Sequence, residues 1–134
     1  LYMNIYVRII NTKECIMDYF NAANECYKTK DYKKAISLYQ KAIDNKDNEA
    51  SAYYNSAVCF IKLCQYDTAI DLINKALKIK KESKYYFNLA YCYAMKKNNK
   101  KALQYFNTSW AMDNEDKECE KAIKLILKNI CKHP

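Results

Sequence analysis

The sequence predicts an all-α fold, a stack of three helical hairpins closed by one further helix. Three observations carry this. The chain repeats itself at a period of 34 residues, small and large residues alternate in fixed registers within each repeat, and the last stretch is amphipathic at helical spacing. The repeated core reads DYKKAISLYQKAI over Asp31–Ile43, QYDTAIDLINKAL over Gln65–Leu77 and NNKKALQYFNTSW over Asn98–Trp110. Its small pivots Ala35, Ala69 and Ala102 stand 34 and 33 residues apart.

The upstream half of each unit repeats as well. Tyr19, Tyr53 and Tyr86 share one register, Ala23, Ala57 and Ala90 the next, and Cys26, Phe60 and Tyr93 the one after. Beyond the pivots come Tyr39, Ile73 and Phe106, then Ala42, Ala76 and Ser109. Two antiparallel helices need this order: a small residue lets the backbones approach, and a ring from the facing helix fills the gap. Taken in order, helices are expected at Glu14–Lys28, Tyr32–Asn45, Asn48–Leu63, Tyr66–Ile79, Ser83–Lys96, Lys100–Met112 and Glu115–Cys131. In the last of these, Ala122, Ile123, Ile126, Leu127 and Ile130 form one stripe, and lysines and Glu120 lie mostly on the other side. That is the pattern of a solvated cap. Ahead of the repeats, Leu1, Met3, Ile5, Val7 and Ile9 alternate with Tyr2, Asn4, Tyr6 and Arg8. That period of two reads as extended, with an irregular helix on the first repeat as the alternative.

These registers resemble the tetratricopeptide repeat over roughly Met17 to Asn114. The resemblance implies an α-solenoid of three hairpins in a single domain. Its repeats would occupy residues 16–49, 50–82 and 83–116, with an apolar segment at 1–13 and a capping helix at 115–131. Two departures stand out. Lys30, Cys64 and Lys97 replace the glycine of the mid-repeat turn, and Asp47, Lys81 and Asn114 replace the proline of the repeat junction. Without glycine, those turns need left-handed or strained residues.

In such arrays the first helix of each unit lines a concave groove. That assigns three rows here: Phe20, Asn21, Asn24, Tyr27 and Lys28 with Met17; Tyr54, Asn55, Val58, Ile61 and Lys62 with Ser51; Lys84, Phe87, Asn88, Tyr91 and Met95 with Ala94. Within these rows, Phe20, Asn21, Asn24, Tyr27, Tyr54, Asn55, Lys62, Lys84, Phe87, Asn88 and Tyr91 are the partner-binding candidates. Rings and amides in a concave site suit an apolar peptide or helix face, or they pack against neighbouring helices. Asn21, Asn55 and Asn88 share one register, so stacked repeats could set three amides in a row for an extended backbone. The register could equally be an ordinary repeat feature. The carboxylate clamp of chaperone adaptors is the sharper resemblance. Asn24, Asn55 and Lys84 match its registers, while Phe20 and Asn88 stand where a lysine and an arginine are expected.

The remaining features mostly exclude. With no glycine and a single histidine, His133, no phosphate loop, nucleophile–base pair or metal cluster assembles, so the expectation is a non-enzyme with no cofactor and no metal. The formal net charge of +8 favours acidic partners. Lysine-rich charge without a reading motif speaks against nucleic acid. Lys, Asn, Tyr and Ile, whose codons are A/T-rich, also abound, which accounts for part of the charge. The seven cysteines include no CxxC pair, and an odd number at mostly helix-packing registers suits a reducing, cytoplasmic setting. No apolar run reaches the ~20 residues a membrane helix requires, and the first ten residues lack the basic start and cleavage site of a signal peptide. The function expected is a non-catalytic protein-interaction module that holds a peptide or partner helix in its groove. The alternatives are a self-assembling structural subunit, stacked end to end or joined through its N-terminal segment, and an adaptor for chaperone tails with a degenerate clamp.

Overall fold

The computed structural model describes residues 18–132. Seven α-helices make up the regular structure of that span: α1 Tyr19–Lys28, α2 Tyr32–Asp44, α3 Glu49–Lys62, α4 Tyr66–Ile79, α5 Ser83–Met95, α6 Asn99–Met112 and α7 Lys117–Lys132. Each helix packs on the next. α1/α2, α3/α4 and α5/α6 are the hairpins, and α2/α3, α4/α5 and α6/α7 are the joints between them. α3 and α5, the first helices of adjacent hairpins, also touch. The fold is therefore an all-α solenoid of three hairpins with α7 as its cap.

Side-chain caps fix several of the starts. Asp18 accepts from the Asn21 backbone N–H at 3.0 Å, Asp31 from Lys34 at 3.2 Å and Asn98 from Lys101 at 3.2 Å. α1 accordingly begins after Asp18, and the helical expectation for residues 14–17, like the apolar segment 1–13, lies outside the described residues. α7 begins two residues later than expected. Asp116 stays outside the helix and accepts from the N–H groups of Glu118 at 3.0 Å and Cys119 at 3.1 Å.

The C-terminal ends repeat a single device. After α1, the Lys30 N–H donates to the Tyr27 carbonyl and the Asp31 N–H to the Cys26 carbonyl, both at 2.9 Å. Cys64 and Gln65 do the same after α3, Lys97 and Asn98 after α5, and Lys46 and Asp47 after α2. This paired closure requires a left-handed residue at its pivot. Lys30, Cys64 and Lys97 supply it at φ of 63°, 58° and 61°, as expected from the missing glycines, and Lys46 at 53°. Each such residue with a Cβ costs about 1–2 kcal/mol. Asn48, at φ 47°, is a further left-handed residue, at the junction before α3.

The core lies where small meets large. Ala23, Ala35, Ala42, Ala57, Ala69, Ala76, Ala90 and Ala102 are fully buried, and Tyr39, Ile73 and Phe106 fill the space against them. Cys59, Cys92 and Cys119 are buried within the same layers, where a thiol packs as a small hydrophobe. Cys119 also donates its S–H to the Phe106 carbonyl at 3.2 Å, tying α7 to α6. One expectation for α7 fails. Leu127, placed on its apolar stripe, is 44% exposed, because it sits at the margin of the stripe centred on Cys119 and Ile126.

Candidate functional site

The first helices of hairpins one and two diverge enough to leave a cleft of about 570 Å³. Asn21, Asn24, Glu25, Tyr27 and Lys28 line it from α1, Tyr54, Asn55 and Val58 from α3, and Tyr39 from α2. Asn24 organises its floor. The Asn24 Oδ1 accepts from the Tyr39 hydroxyl at 2.5 Å and from the Asn55 Nδ2 at 3.2 Å. Burial holds the Tyr39 hydroxyl well above the usual tyrosine range, so it remains a protonated donor across the physiological range. With that oxygen occupied twice, the Asn24 amide is locked in orientation. Its NH₂ and the Asn55 Oδ1 then carry no partner among the described residues. A donor and an acceptor from two residues of the cleft lining thus remain available, and a peptide unit offers one of each in return.

A second network begins at Tyr54. The Tyr54 hydroxyl accepts from the Asn88 Nδ2 at 2.6 Å, which ties α3 to α5. Its ring stacks on buried Tyr85 at a centroid distance of 4.5 Å. Burial is the main cause that pushes the Tyr54 hydroxyl up to about 12. The Lys84 ammonium lies 5.3 Å above the Tyr54 ring and 5.9 Å from that of Tyr85, and pairs with Glu82 at 3.5 Å. The Tyr85 hydroxyl is buried and has no hydrogen-bond partner among the described residues.

The candidates therefore divide. Asn21, Asn24, Tyr27, Tyr54 and Asn55 meet in the cleft, and Lys84 and Asn88 join them through Tyr54. Phe20 packs against Tyr39, ring centroids 6.0 Å apart and tilted by 59°. Phe87 meets Phe106 edge-on at 5.3 Å, so part of its ring belongs to the core of the third hairpin. Tyr91 turns toward Tyr66 at 6.5 Å, beside a smaller hollow of about 320 Å³ at the α3–α4 turn. Lys62 is exposed and outside both hollows. The amide row does not form as drawn. Asn21 donates to Asp18 at 2.6 Å, Asn55 to Asn24 and Asn88 to Tyr54, so the three shared-register amides bond away from one another. Tyr39, Tyr85 and Glu25 were not foreseen. Tyr39 does carry a signal, a large ring at the second-helix register opposite the small Ala23, whereas nothing at the Glu25 position distinguishes it from a solvated surface residue.

Two family models, both described as tetratricopeptide repeat, match residues 27–89 and 83–116. The chain belongs to the tetratricopeptide repeat family. Among solved structures, the first such domain of Spaghetti (RPAP3), bound to HSP90 peptide SRMEEVD, superposes with a TM-score of 0.81 at 17% identity, over 84% of this chain and 90% of that one. The Arabidopsis OM64 domain gives 0.79 at 27% identity, over 83% of this chain and 93% of that one. Among curated proteins, human sperm-associated antigen 1 is 36% identical over 56 residues, 42% of this chain. The Plasmodium falciparum Hsp70-Hsp90 organising protein is 31% identical over 84 residues, 63% of this chain. The matches span only 6% and 14% of the lengths of those two relatives. As a tetratricopeptide repeat protein, the chain is a helical protein-binding scaffold. No described helix is long and apolar enough to cross a membrane.

Proposed function

We propose that this chain is a non-catalytic interaction module that holds an extended peptide in the cleft between α1 and α3. The observation that carries the reading is the Asn24–Asn55 pair. Tyr39 orients it, and it presents one open donor and one open acceptor among tyrosine rings. Such a pair binds backbone irrespective of side chain, and Tyr27, Tyr54 and Val58 favour apolar residues on either side. The clamp-like alternative has support of its own, because the structural neighbours include complexes with HSP90 and HSP70 peptides and Asn24, Asn55 and Lys84 stand at the matching registers. Against it, Phe20 and Asn88 replace two cations. Each charge-assisted hydrogen bond lost is worth roughly 1.5–3 kcal/mol. Lys84 is moreover already engaged with Glu82 and two rings. A free terminal carboxylate is therefore expected to add little. A self-associating role for the apolar residues 1–10 rests on their sequence pattern alone. The free thiols of Cys26, Cys59, Cys64, Cys92, Cys119 and Cys131 are the observation that supports a cytoplasmic placement.

The test is a random heptapeptide display library selected on the chain, followed by titration of the selected peptides. Asn55→Ala removes the open acceptor while leaving the Tyr39–Asn24 bond. It is expected to weaken every selected peptide by about 3–10-fold, the worth of one hydrogen bond at ~1 kcal/mol. Binding that is indifferent to Asn55→Ala places recognition elsewhere on the array. The peptide SRMEEVD and its C-terminal amide should bind equally weakly. A strong preference for the free acid, lost with Lys84→Ala, would favour the clamp.

A further inference from the structure

The outer face of α7 carries a row of five lysines. Lys117, Lys121, Lys124, Lys128 and Lys132 follow one another at spacings of four, three, four and four residues, so they form a single stripe directly opposite buried Cys119 and Ile126. The stripe runs about 22 Å at ~1.5 Å rise per residue. Two of its lysines are answered locally, Lys121 by Glu118 and Lys124 by Glu120, both at 3.0 Å. Lys117, Lys128 and Lys132 have no ion-pair partner among the described residues. Glu118 and Glu120 lie on the flanks, and the carboxylates before the helix, Asp113, Glu115 and Asp116, sit beyond its N-terminal end. Leu125 borders the stripe on the side of Glu118, one turn from Lys121 and one from Lys128, and is 60% exposed.

We propose that this face is a second docking surface, separate from the α1–α3 cleft, and that its partner is an acidic amphipathic helix. Charge complementarity selects the acid, since the stripe itself carries no carboxylate. Leu125 selects the amphipathic helix. An apolar knob beside a row of ammonium groups fits an apolar residue beside a row of carboxylates, and a helix repeats carboxylates at the spacing of the lysines. A phosphodiester backbone has nothing to offer Leu125, and the face carries neither arginine for bidentate phosphate contacts nor a ring for stacking a base. A membrane is disfavoured because the apolar side of α7 is committed to α6 and cannot insert. A second copy of the chain would present the same positive stripe and be repelled.

The probe is a fluorescein-labelled 16-residue synthetic helix with glutamates at matching spacing around a leucine stripe, titrated into the full chain. Lys117→Glu/Lys128→Glu/Lys132→Glu is compared with Lys33→Glu/Lys78→Glu/Lys100→Glu, which makes the same change in net charge on other exposed surfaces. The first triple is expected to weaken the peptide about tenfold or more, and the second about threefold or less, because distant exposed charges are screened beyond ~8–10 Å. Leu125→Ser should weaken the peptide several-fold and leave a single-stranded oligothymidine unaffected. Equal losses from the two triples would overturn the proposal in favour of net charge alone. Tighter binding of oligothymidine, or of phosphatidylserine vesicles, than of the peptide would overturn it in favour of a phosphate surface.

Discussion

At the scale of the residue, burial decides chemistry. Cys59 and Cys92 sit in the inter-hairpin layers, and desolvation pushes their thiols up to about 11 and about 12. The thiolate is the nucleophile, so these two are inert near neutral pH. Cys64 and Cys131, by contrast, are exposed. Labelling with a chromogenic disulfide at pH 8 is therefore expected to modify Cys64 and Cys131 quickly, and Cys59, Cys92 and Cys119 only when the chain is unfolded. Rapid reaction at Cys59 under native conditions would mean that the layer between the first and second hairpins opens readily, and rapid reaction at Cys92 that the layer between the second and third does. The same burial that silences those thiols keeps the Tyr39 hydroxyl protonated, and through it sets the Asn24 amide that faces the cleft.

At the scale of the element, the pivot alanines determine how closely paired helices approach. Ala69 is fully buried between α3 and α4 in the layer of Ala57 and Ile73. Ala69→Leu is expected to lower stability by roughly 1–3 kcal/mol through overpacking, read as a shift in the urea midpoint at constant slope. An unchanged midpoint would show room at that contact that the burial denies. The helices, their pairing and the left-handed turn residues were legible in the sequence because each follows from a local rule repeated three times. The ends of α1 and α7 were less so. Asp18 and Asp116 are capping residues that a hydrophobic pattern does not register. The site was legible only in part, for a physical reason. Which helix faces the groove follows from periodicity, but where an amide points depends on a partner one hairpin away. Asn24 was placed on the right face, yet its bond to Tyr39 joins residues 15 apart, and the Asn88–Tyr54 bond joins residues 34 apart. No spacing rule drew Phe87 toward Phe106 or Tyr91 toward Tyr66.

At the scale of the molecule, the apolar alternation of residues 1–10 is the one strong sequence feature that falls outside the described residues. If it joins two copies, deleting residues 1–10 should convert a dimer to a monomer in sedimentation equilibrium. A mass unchanged by the deletion would end the reading in which residues 1–10 join the copies. The stacking order carries a consequence for signalling. Each hairpin packs chiefly on the next, so the proposed peptide between α1 and α3 would bear directly on the first two hairpins and reach the third only through the Tyr54–Asn88 bond and the α3–α5 contact. Occupancy of that cleft would then register only weakly at α7. If the cleft and the α7 face are both occupied as proposed, the array would act as a spacer rather than a relay, and its two partners would meet through proximity, their effective concentration set by the length of the stack.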